Sequence, residues 1–202
     1  MNMPNNYNET RAAGEFIPIE LGGHYLVIKQ VEEMVNKNGG QMIKVSFDTA
    51  NNDKQPHYFA DSFRNDFRPD KKWPANGVVY INVNDQDGKC SRSFKGFTTS
   101  VENSNPGFSV QWGPAFAACF KEKLVGGIFN EEIGVYQGKK TTQHKLRWFC
   151  ANEKVAEASI PNPTETKEYK AWIASGGVTT SPADKDGWMN IPTEAEDGLP
   201  FD

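Results

Sequence analysis

The stretch "SFRNDFRPDKKW" (62–73) sets Arg64, Arg68, Lys71 and Lys72 beside Phe63, Phe67 and Trp73. Cations can follow a phosphate backbone, and flat apolar rings can lie under bases. Single-stranded nucleic acid asks for this pairing, and each stacked base contributes about 1–3 kcal/mol whatever its identity. "SRSFKGF" (91–97) adds Arg92 and Lys95. A third run, "KTTQHKLRWFCA" (140–151), alternates Lys145, Arg147 and Phe149 with Leu146, Trp148 and Cys150, so one face reads as apolar and the other as basic and aromatic. Tyr80, between Val79 and Ile81, has a similar claim to an exposed face. The candidate nucleic-acid-binding set is therefore Lys29, Lys44, Arg64, Phe67, Arg68, Lys72, Trp73, Tyr80, Lys139, Lys140, Lys145, Arg147 and Phe149. Against each single member stands a plainer reading. A lone ring is more often core than stacking platform, and a lysine pair is usually solvated surface.

Catalytic chemistry finds less support. The chain has no phosphate-binding G-x-x-x-x-G-K-[ST], no G-x-G-x-x-G, no H-E-x-x-H and no G-x-S-x-G. The turn around Asp85 and Asp87 fails as a calcium loop, because the positions that need acids hold Val83 and Phe94. Cys90, Cys119 and Cys150 form no C-x-x-C pair, and His24, His57 and His144 are scattered, so the residues predict neither a disulfide framework nor a metal or cofactor site. No enzyme is expected.

Hydrophobic periodicity supplies the elements that would carry the basic and aromatic residues. "HYLVIKQVEE" (24–33) reads as a strand, Lys37-Asn38-Gly39-Gly40 as a hairpin turn, and "QMIKVSFDTA" (41–50) as the return strand. In the return strand Ile43, Val45 and Phe47 share one face and Lys44, Ser46 and Asp48 the other. Residues 51–74 read as irregular, and "GVVYINVND" (77–85) as a third strand. From Ser91 to Ser104 the spacing of Phe94, Phe97 and Val101 is helical, with Asn105-Pro106-Gly107 as the stop. A short helix over 114–121 and a second hairpin, 123–136 with 140–151, follow. "TETKEYKAWIAS" (164–175) has a short helix's pattern, with Thr164 as its cap. Three strands, a helix and two strands is the order of an OB-fold. The fold expected is thus mainly β: a five-stranded OB-fold barrel with a helix between strands 3 and 4, and a largely disordered acidic C-terminal tail. A generic α+β domain is the alternative.

Two hundred and two residues with a 37% hydrophobic share suit one such domain plus tails. The division expected is a disordered N-terminus (1–14), an OB-like domain (15–151), a linker (152–181) and an acidic tail (182–202). No apolar run approaches the ~20 residues of a membrane span, and residues 1–16 lack a signal peptide's pattern, so a cytoplasmic, non-membrane protein is expected. The net charge of −4 is split: residues 1–150 hold 18 basic and 16 acidic side chains, whereas 151–202 hold 4 and 10. The chain then ends "EAEDGLPFD", an apolar tripeptide behind acids where no core is at hand.

That ending, with the strand order, resembles bacterial single-stranded DNA-binding proteins, and among them those of phages and prophages. The body's share of the likeness lies in "SFKGFTTSVENSNPGF" and the "KLVGGIFNEEIGVY…KLRWF" hairpin. The resemblance implies sequence-independent binding and protection of single-stranded DNA in a bacterial host. It also implies recruitment of replication, recombination and repair proteins by the tail. Carried over, Leu199, Pro200 and Phe201 would enter a partner's apolar pocket while Glu194, Glu196 and Asp197 meet basic residues around it. Asp202 departs from the pattern, since the chain's terminal carboxylate no longer belongs to the phenylalanine. One OB-fold per chain would also favour self-association. Two alternatives remain open: a protein–protein adaptor with an OB-like body and a docking tail, and a nucleic-acid-processing enzyme whose catalytic residues are not recognisable.

Overall fold

The computed structural model describes residues 3, 4, 7 and 17–176. The described residues form two compact units, one reaching to Glu132 and including Gln143–Thr164, the other made of Ile133–Thr142 and the segment from Glu165 onward. The tail residues Glu194, Glu196, Asp197, Leu199, Pro200 and Phe201 lie outside the described residues.

Strand β1 (Gly22–Val35) is the axis of the sheet. Its alternation buries His24, Leu26 and Ile28, then slips at a bulge between Ile28 and Gln30 so that Val31 faces the core. Strand β2 (Gln41–Thr49) returns antiparallel to β1 through the predicted Asn-Gly turn, with Gly39 at φ 79°. Strand β3 (Val78–Asn82) runs antiparallel to β2, pairing Tyr80 with Lys44. Strand β4 (Leu124–Tyr136) pairs with the first half of β1, and β5 (Lys139–Cys150) returns along β4. A two-residue strand, β6 (Thr164–Glu165), also pairs with β4.

The order across the sheet is β3-β2-β1-β4-β5. Edges β3 and β5 are not hydrogen-bonded to each other, so the sheet is open. The OB-fold barrel expected from the order of elements is corrected on this point. Alternation and turn residues reveal strands and their neighbours. Closure depends on strand length, tilt and stagger between edges remote in sequence, which alternation does not encode. The third strand is also shorter than the 77–85 expected, because the chain turns off after Asn82 and Asn84 bridges back to Cys90.

The described residues include four α-helices. Helix α1 (Tyr58–Arg64) falls where the sequence reads as irregular. It has no side-chain cap of its own. Asp48 of β2, fully buried, instead accepts hydrogen bonds from the backbone N–H groups of Phe59 and Ala60 through Oδ1 (2.9 and 3.2 Å). A cap from a neighbouring strand leaves no local signature, so the spacing rules miss the helix. Helix α2 (Arg92–Ser104) is where its spacing predicts, capped by Ser91, which accepts from Phe94 N–H, and burying Phe94, Phe97 and Val101. Helix α3 (Phe116–Cys119) is one turn. Helix α4 (Lys167–Ala174), in the second unit, is capped by Thr166 rather than Thr164.

The core of the first unit is aromatic. Phe47 on β2 meets Phe59 of α1 edge-on (5.5 Å), Phe129 of β4 (6.3 Å) and Phe149 of β5 (6.0 Å). These contacts curl the sheet around α2 without joining its edges. Phe149 also lies 5.0 Å from Phe97. Beside this cluster, His24 is fully buried. Its Nδ1 lies 2.9 Å from Asp53 Oδ1 and its Nε2 3.0 Å from the Glu20 carbonyl.

Candidate functional site

The curl brings β3 and β5 to opposite walls of one groove, with α2 as its floor. The groove encloses about 380 Å³, within the range of ligand clefts. Tyr80 stands on one wall, 56% exposed, and Trp148 on the other, 49% exposed. Between them lies an apolar base to which Phe97 and Leu146 contribute. Two guanidinium groups, Arg92 from the first turn of α2 and Arg147 from β5, complete the lining. Both are exposed, and no Asp or Glu is among the lining residues.

Helix α2 carries a glycine at this floor. Gly96 is exposed, and a Cβ built on it would meet nothing within 4 Å. A glycine inside a helix costs about 0.5–1 kcal/mol relative to alanine, and no packing constraint here demands one. Gly96→Ala is therefore expected to stabilise the fold by about 0.5–1 kcal/mol. A calorimetric scan would read this as a raised midpoint, and a lowered one would show that the position does not tolerate a methyl group.

Of the thirteen residues in the candidate set, the groove gathers Tyr80, Arg147 and Phe149. Phe149 differs from its expected orientation. It packs on the core with Leu146, three positions away, while Trp148 is exposed. Strict alternation therefore fails between Leu146 and Phe149, and that failure hid Trp148. Arg92 was visible as one cation among several, but its place beside Arg147 depends on the curl. Trp73, expected on an exposed loop, is half-buried against the core, with its Nε1 donating to the carbonyls of Phe47 (3.3 Å) and Gly77 (3.2 Å).

Most of the remaining cations carry an acid of their own. Lys29 meets Glu122 (3.3 Å), Arg64 meets Asp61 (2.7 Å) and Lys145 meets Glu132. Lys44 meets Glu32 at 2.8 Å, and that hydrogen bond raises its ammonium above the usual value. Arg68 clamps Asp66 with its Nε and Nη2, which with the Arg68 backbone N–H holds that carboxyl at about 2. Phe67 projects from the loop after α1, 94% exposed, apart from the groove's lining, and Lys72 lies exposed on the same loop. Lys139 and Lys140 belong to the second unit.

No group of three or more His, Cys, Asp and Glu that could hold a metal is present among the described residues. No helix among them is long and apolar enough to cross a membrane. Comparison with protein families and with curated proteins finds no match.

The open sheet overturns more than the fold class. The expectation of sequence-independent single-stranded DNA binding rests on a closed OB-fold barrel, and the sheet is open. The resemblance to phage and prophage single-stranded DNA-binding proteins is corrected with it, as are the roles in DNA replication and recombination that it implied.

Proposed function

We propose that the chain is a protein–protein adaptor whose open body binds one partner and whose tail docks on another. The observation that carries this reading is the groove between the unpaired edges of β3 and β5, where Tyr80 and Trp148 are exposed over an apolar base. Aromatic and arginine side chains around a desolvated centre are the usual anchors of protein interfaces. Within the candidate set, the pairing of Lys29, Lys44, Arg64, Arg68 and Lys145 with neighbouring acids favours a protein ligand over a phosphate backbone, which would need those cations free. The tail supplies the second hand. Leu199, Pro200 and Phe201 behind Glu196 and Asp197 suit an apolar pocket with a basic rim.

A displayed library of random peptides, selected against the full chain, tests the body's role. The selected peptides are expected to lose at least about tenfold in affinity for a Tyr80→Ala/Trp148→Ala variant, as befits the loss of two interface anchors. Equal binding to the variant, or displacement of the peptides by oligo(dT), would sink the adaptor reading.

A further inference from the structure

We infer that the gap between β3 and β5 receives an extended, acidic segment of a partner protein as an added strand. This rests on the adaptor reading and specifies the ligand of the groove.

The topology itself argues for a strand. β3 is antiparallel to β2, β2 to β1, β1 to β4, and the β4–β5 hairpin reverses once more. β3 and β5 therefore run in the same direction on opposite walls. One strand running the other way would be antiparallel to both. Each wall has one edge engaged, β3 with β2 and β5 with β4, which leaves a row of backbone donors and acceptors on its other side. Exposed edges of this kind recruit extended peptides, with backbone pairing supplying affinity and side-chain pockets supplying specificity.

The floor fits a backbone close by. Gly96 leaves open space where any other residue would place a side chain. Successive side chains of an added strand would point alternately toward that floor and away from it. Those pointing inward meet the apolar base at Phe97 and Leu146, and their neighbours stand level with Tyr80 and Trp148.

Charge selects the sequence. Arg92 and Arg147 line the groove, no acid lines it with them, and no ion pair engages either one among the described residues. Guanidinium forks are matched to carboxylates and take them in bidentate fashion. A segment alternating apolar residues with Glu or Asp satisfies base and rim together.

The test uses the full chain and a synthetic peptide of alternating valine and glutamate. Two comparison peptides carry lysine for glutamate, or N-methyl groups on alternate backbone amides. Binding is read by anisotropy of a label on the peptide, and edge pairing by amide hydrogen exchange over 78–82 and 146–149. The glutamate peptide is expected to slow exchange in both segments. Arg92→Glu and Arg147→Glu, both at exposed positions and checked for an unchanged unfolding midpoint, are each expected to weaken it at least about tenfold. The N-methylated peptide is expected to bind at least about tenfold more weakly, having lost its donors. Failure of the glutamate peptide to bind overturns the proposal, as does equal binding of the lysine peptide. Equal binding of the N-methylated peptide removes strand addition but leaves the adaptor reading standing. If instead library-selected peptides ignore the groove altogether, the adaptor reading itself has failed.

Discussion

Phe47→Ala is expected to destabilise the first unit by about 3–5 kcal/mol, a large part of the roughly 5–15 kcal/mol that holds a domain folded. Phe47 is fully buried and touches Phe59, Phe129 and Phe149, so it joins β2, α1, β4 and β5 at one point. Truncation removes the transfer free energy of the ring and leaves a cavity that three neighbouring rings cannot all relax into. Chemical denaturation of wild type and variant, with tryptophan fluorescence as the probe, measures the difference. A loss below about 1 kcal/mol, the scale of an ordinary surface change, would mean that the curl of the sheet does not depend on this cluster. Phe149 is the contact to follow alongside. If Phe47 holds β5 over α2, the amides near Phe149 should exchange faster in the variant even where it remains folded.

The second large effect belongs to the buried pair. Asp53→Ala is expected to cost about 3–5 kcal/mol, because it leaves His24 in the core without its carboxylate and leaves the Tyr25 and Gln55 amides without an acceptor. The same pair predicts a pH dependence. Burial works to raise the Asp53 carboxyl, but the hydrogen bond from His24, the Gln55 and Tyr25 amides and the charge of His24 together hold it below its ordinary value. A carboxyl depressed in the folded state stabilises the fold above its unfolded value of about 3.9, and that contribution disappears as pH falls through the folded value. The gap in unfolding midpoint between wild type and Asp53→Asn should therefore be full at neutral pH and shrink on acidification below about pH 4. A gap that stays constant across that range would show that the Asp53 carboxylate does not supply the stabilisation.

Much of the secondary structure was legible in the sequence because local chemistry writes it. The Asn38-Gly39 turn, the Ser91 cap and the spacing of Phe94, Phe97 and Val101 each act over a few residues. Helix α1 was not legible, since its cap comes from Asp48 on another strand. The site was harder still. Tyr80 and Arg147 could be singled out by alternation, but Trp148 was assigned to the core because β5 departs from a strict two-residue period between Leu146 and Phe149. The cations misled for a related reason. Sequence shows Lys29 but not that Glu122 lies 3.3 Å away, nor that Lys44 is claimed by Glu32. Charge counts cannot tell a free cation from one already neutralised by a residue distant in the chain.

Strand β1 joins the two halves of the sheet. It pairs with β4 through Gly22–Val27 and with β2 from Leu26 onward, so the two partners overlap only briefly before the bulge at Ile28 and Gln30. The hairpin ending in β3's neighbour and the hairpin ending in β5 are thus two arms pinned at one short joint. Leu26 and Val27, which β1 shares between β2 and β4, are therefore where the two arms meet.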